Sequence, residues 1–174
     1  MDVKELYELF EKMYFYEIDK KDKFIAKLNI PFAAIVALVG YYAFLLSADR
    51  AGLGFGFQSL FWTVLFFSIF CTMAAALFFI RALLGGMDKA ILTANEIEEY
   101  RQSLIKHYEG YEGAERFVSE QLKLVMYRNY MSCSTIITLN NERKGYDYFY
   151  CNLFLVFSSV SGLACYVLMA LLSK

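Results

Sequence analysis

Hydrophobic and polar positions fall along this chain in long blocks. Residues 28–48, 51–80 and 148–173 contain no Asp, Glu, Lys or Arg. An α-helix rises about 1.5 Å per residue and the hydrocarbon core of a bilayer is about 30 Å thick, so each run can supply one crossing. A soluble chain of this size lacks the shell to bury three such helices on every side. The pattern predicts an all-α integral membrane protein with three transmembrane helices, at 29–48, 57–84 and 148–173.

The polar blocks carry helical periodicity. Within 1–28, Leu6, Tyr7, Phe10, Met13, Tyr14, Ile18, Ile25 and Leu28 recur at three and four, which predicts an amphipathic cytoplasmic or interfacial helix. Glu17 and Lys21 fall on its apolar side. They suit either an i,i+4 pair at the membrane boundary or a polar contact fixing register between subunits. Residues 85–146 predict a cytoplasmic helical hairpin between spans two and three: a break at Gly85 and Gly86, helices over 88–108 and 115–139, a turn bracketed by Gly110 and Gly113, and a linker at 140–145.

Small and hydroxylated side chains refine the spans. Ala33, Ala37 and Gly40 share one face of the first, and Ser158, Gly162 and Cys165 one face of the third, both suited to close helix packing. On the second, Ser68, Thr72 and Ala75 share a side that fits either helix packing or the lining of a water-filled pore. Pro31 sits in the first turn of its helix, where a missing N–H costs little. The alternating glycines of 51–57 read as a tight turn, since no strand precedes them and no Ser/Thr–Lys pair follows.

Charge sets orientation and excludes classes. Six Lys or Arg lie in the N-terminal block and nine in 81–147, against Arg50 and Lys174 elsewhere, so the positive-inside rule places both polar blocks in the cytoplasm and the C-terminus outside. The net charge is −1, mean hydropathy +0.40, and 59% of residues are hydrophobic. The first 27 residues carry thirteen charges and no continuous apolar core, unlike a signal peptide. His107 is the single histidine and the four cysteines show no CxxC spacing, so neither a zinc site nor another cofactor is expected. No nucleophile–base motif or phosphate loop occurs, and no charge interrupts a span. The expectation is a non-enzyme, with no catalytic residues, that associates with the bilayer and with copies of itself.

Two short runs carry a resemblance: YFYEIDKKD at 14–22, ahead of the first span, and NNER at 140–143, ahead of the last. With the three-span layout, they make the chain similar to the small multi-span membrane effectors of bacterial anti-phage defence, most like the ion-channel-like effectors of Hailong systems. That resemblance implies an oligomeric inner-membrane channel, with the hairpin as sensor and the spans as toxin. It also implies a nucleotide or oligonucleotide ligand made by a partner nucleotidyltransferase. An anionic ligand needs cationic side chains. Residues 85–147 hold eight basic and ten acidic residues, but in 123–144 Lys123, Arg128, Arg143 and Lys144 face only Glu142, so these four are the ligand candidates. The competing expectation is a non-conducting anchor that recruits a soluble partner through the hairpin.

Overall fold

The computed structural model describes residues 3–47 and 55–172; of the glycine turn expected at 51–57, residues 51–54 lie outside them and 55–57 are instead helical. Every regular element among the described residues is a helix: α1 (Val3–Lys27), α2 (Asn29–Ser47), α3 (Phe55–Leu84), α4 (Ala94–His107) and α5 (Ala114–Leu172). Three helical stretches, Lys4–Ser47, Gly56–Leu84 and Ala114–Ala170, are long and apolar enough to cross a membrane. The chain divides into a polar unit, Met1–Asp22 with Gly86–Glu142, and an apolar unit, Lys23–Gly85 with Arg143–Lys174.

In the polar unit the aromatic stripe of α1 packs on the first half of α5. Tyr7 and Tyr14 meet Tyr130 edge-on at 5.6 and 5.7 Å, and Phe10 meets Tyr127 at 5.3 Å. The segment 86–93 is not helical, although the sequence pattern predicts a helix from 88. It is a strap laid antiparallel along α5. Asn140 Nδ2 donates to Asp88 Oδ1 at 2.9 Å, Cys133 Sγ to the Ala90 carbonyl at 3.4 Å, and Lys89 Nζ to Ser132 Oγ at 3.0 Å. Gly86 enters the strap at φ 73, in the left-handed region, where a Cβ would collide with the Asn140 amide. Helix α4 starts only at the Thr93 capping box: Thr93 Oγ1 accepts from Glu96 N, and Glu96 Oε2 accepts from Thr93 N. Between α4 and α5 the Tyr108 ring stacks on Phe117 at 5.9 Å.

The linker expected at 140–145 is instead helix, as α5 continues unbroken from Ala114 to Leu172. The asparagines that suggested a loop direct their amides to other elements, Asn140 to the strap and Asn141 to α1, so they do not compete with the helix backbone. From Tyr130 to Cys165 a period of seven is kept. Tyr130, Ile137, Lys144, Cys151, Ser158 and Cys165 are all buried. This is the seam of a coiled-coil-like packing.

The apolar unit uses that seam. Helices α3 and α5 run antiparallel, with Phe61 level with Cys165, Ser68 with Ser158, Ala75 with Cys151 and Arg81 with Asp147. Helix α2 closes the group antiparallel to α3, with Tyr42 at Ser68 and Phe32 stacked on Phe79 at 5.9 Å. Its outward surface is apolar: Phe66, Phe70, Leu77, Val160 and Leu163 are each more than 60% exposed.

Candidate functional site

Inside the apolar unit four hydroxyls from three helices form one network. Tyr42 Oη lies 2.8 Å from Ser68 Oγ and 2.7 Å from Thr72 Oγ1, and also bonds Ser158 Oγ. Thr72 Oγ1 and Ser158 Oγ are 2.6 Å apart, and Ser68 Oγ donates to the Ser158 carbonyl at 2.8 Å. All four residues are buried. Apolar layers close the network on both sides, one of Phe61, Leu65 and Cys165, the other of Ala75, Cys151 and Leu155. The pore-lining candidates Ser68, Thr72 and Ala75 therefore sit within the helix packing of a single copy. They could line a channel only if these three helices separated. Tyr42 supplies the hub. Its signal was the same seven-residue spacing, with Leu28, Ile35 and Tyr42 on one side of the first helical stretch.

The two small-residue faces divide in role. Gly162 is used inside the copy: the Tyr41 hydroxyl donates to its carbonyl at 3.0 Å, and a Cβ there would lie 3.1 Å from the Tyr41 ring. Ala33, Ala37 and Gly40 on α2 are exposed, with open space at the missing Gly40 side chain. On α5, Asn152, Ser159 and Tyr166 recur every seven residues on a side that no helix of the copy covers fully. Among the described residues, Asn152 and Ser159 bond only their own helix, at the carbonyls of Tyr148 and Leu155.

Near the Arg81 end of this unit, Arg81 Nε lies 3.3 Å from Asp147 Oδ1. Asp147 is buried, and its Oδ2 has no hydrogen-bond partner among the described residues. Lys144, a ligand candidate, is buried beside Gly85, where a Cβ would come within 3.4 Å of its Cγ. Its seam position turns it inwards, away from a ligand. Arg143 is exposed in the same unit.

In the polar unit Glu17 and Lys21 make contacts within one copy. Glu17 is buried, and Asn141 Nδ2 donates to its carbonyl at 3.0 Å and to Oε2 at 2.8 Å. Lys21 Nζ lies 2.6 Å from Asp88 Oδ2, and Asp88 in turn accepts from Asn140. The register these residues set is between α1, the strap and α5. The two runs at 14–22 and 140–143 thus meet in space.

Lys123 and Arg128 are exposed on α5, and Arg128 lines a cleft of about 630 Å³ between the strap and α5. On α4, Arg101 holds Glu98 through two 2.7 Å bonds, which pull the Glu98 carboxyl down to about 2. Arg101 thus forms an exposed ion pair on α4.

Burial, followed by the neighbouring Tyr7, pushes the Tyr130 phenol up to about 12 from an ordinary 10.0. The sign follows from linkage. Below pH 10 both folded and unfolded forms are protonated and the contribution is intact. Between 10 and 12 the unfolded chain alone loses the proton, so stability falls. Helical circular dichroism from pH 9 to 12 should show a steeper loss in the native protein than in Tyr130→Phe. Equal slopes would place the alkaline transition elsewhere.

No family model, curated protein or solved structure matches this chain.

Proposed function

We propose that the chain is a multi-pass protein of a bacterial inner membrane, with its N-terminus and polar unit in the cytoplasm and its C-terminus outside. Copies assemble into an ion-conducting pore that depolarises the cell as an effector of antiviral defence. The polar unit controls opening through a nucleotide or oligonucleotide signal from a partner nucleotidyltransferase.

The observation that carries this reading is the column Asn152, Ser159 and Tyr166 on α5, in a largely apolar outer surface whose other exposed polar groups include Gln58, Ser59 and Thr63 near one end of α3. Fourteen residues of helix extend about 21 Å, most of a hydrocarbon core. Polar side chains at such depths are disfavoured against lipid and are used instead against other helices or water. The column is therefore the better lining candidate than the sealed Ser68–Thr72 side. The open Ala33–Ala37–Gly40 face supplies a surface for close approach of a second copy. A non-conducting anchor is the second reading, favoured by the closure of the interior hydroxyl network.

Expression in bacteria carrying a potential-sensitive dye tests the proposal. The native chain should collapse the membrane potential, and Asn152→Leu should preserve most of it at equal expression. An unchanged potential at high expression of the native chain contradicts the pore reading.

A further inference from the structure

The strap and α5 flank an open cleft whose chemistry is one-sided. Val125, Arg128, Asn129 and Ser132 lie at i, i+3, i+4 and i+7, a single stripe of α5, and form one wall. Residues 89–93 of the strap form the other. Two cations, Lys89 and Arg128, face one carboxylate, Glu96, whose Oε2 is already engaged by the Thr93 amide at 2.7 Å and hydroxyl at 2.9 Å. Thr93 holds the Glu96 carboxyl below its usual range.

The remaining polar groups present donors. Asn129 Oδ1 shares the single Cys133 S–H with the Ala90 carbonyl, at 3.2 and 3.4 Å, and the Asn129 amide nitrogen has no hydrogen-bond partner among the described residues. Ser132 accepts from Lys89, so its own proton is free to be donated. Arg128 makes no ion pair or hydrogen bond among the described residues. The strap is not helical, and the peptide N–H groups of Ala90, Ile91 and Leu92 donate to no backbone carbonyl among the described residues. Two cations, a side-chain amide and a hydroxyl line this one cleft, a set of donors that suits an anion. Ile91, Leu92 and Val125 add an apolar surface beside it. The volume of about 630 Å³ lies within the usual range of small-ligand sites, about 300–1,000 Å³.

We infer that this cleft binds a phosphate-bearing ligand of nucleotide size, with the phosphate on Arg128, Lys89 and Asn129 and the base against Ile91, Leu92 and Val125. The inference deepens the proposed ligand control of the pore and rests on that reading for its role, though not for binding itself. Of the four cations expected from sequence, it keeps Arg128, and it adds Lys89.

Calorimetric titration of the full-length protein in detergent, with inorganic phosphate, adenosine, AMP and a thymidine dinucleotide, tests the site. AMP or the dinucleotide should bind saturably and adenosine should not. Arg128→Gln and Lys89→Gln, both at exposed positions, should each weaken binding at least tenfold. Arg101→Gln, in the separate cleft between α4 and α5, should change it less than twofold. No binding by either nucleotide overturns the inference. So does binding indifferent to Arg128 and Lys89, or weakened equally by Arg101→Gln. The two readings fail separately. Binding without any effect of ligand on conductance removes ligand control and leaves the site, whereas conductance without binding removes the site and leaves the pore.

Discussion

Replacing Ser158 by leucine is expected to dismantle the apolar unit, whereas the same change one residue on, at Ser159, leaves it folded and suppresses conduction. Ser158 is fully buried and bonds Tyr42 and Thr72 through its side chain. Leucine there removes those bonds and forces extra carbon atoms into a closed packing. Overpacking costs about 1–3 kcal/mol, and each interhelical bond lost within a membrane adds about 0.6–2 kcal/mol. A loss on the order of 3 kcal/mol is a large share of a stability of about 5–15 kcal/mol. Ser159 is exposed and bonds only the Leu155 carbonyl at 2.8 Å, so its leucine variant should shift stability by less than about 0.5 kcal/mol. Unfolding in mixed micelles measures the first effect and bilayer current the second. Should Ser159→Leu conduct normally, the pore does not run along the Asn152–Ser159–Tyr166 column.

Breaking α5 at Gly145 is the second large effect. This residue is helical with open space where a Cβ would go, so Gly145→Ala should be tolerated and gain about 0.5–1 kcal/mol of helix stability. Gly145→Pro removes one hydrogen bond, clashes with the preceding turn and costs about 3 kcal/mol locally. Because α5 carries residues of both units on one uninterrupted helix, it is the element through which the polar unit would act on the pore. A double-mutant cycle isolates that coupling. Tyr130→Ala removes a buried ring that Tyr7 and Tyr14 pack against, and should alter open probability in the Gly145→Ala background. In the Gly145→Pro background it should have little effect. Equal responses in both would show that control does not pass along this helix.

The three span-length apolar stretches were legible in sequence because they rest on length and the absence of charge alone. The amphipathic stripe of α1 and the glycines around the α4–α5 turn were legible for similarly local reasons. The continuity of α5 was not. Asn140, Asn141 and Gly145 are loop residues by intrinsic preference; the tertiary partners of the two asparagine amides override it, and Gly145 continues in the same helix. The strap was missed because 88–93 has a helix-compatible pattern, although the Thr93-x-x-Glu96 capping box marked the later start. Ser68 and Thr72 were found as a polar face, but whether such a face meets water or another helix depends on Tyr42 and Ser158, 26 and 90 residues away from Ser68 in the chain. The Lys89–Arg128 cleft joins residues distant in sequence, and charge counting over 123–144 could not reach it.

Single-channel recording of the purified native chain in planar bilayers tests the central claim most directly. The account predicts discrete conductance steps that Ser159→Leu suppresses and Thr72→Val, within the sealed interior, leaves unchanged in size. Electrical silence of the native protein across voltages, with and without nucleotide, would contradict it.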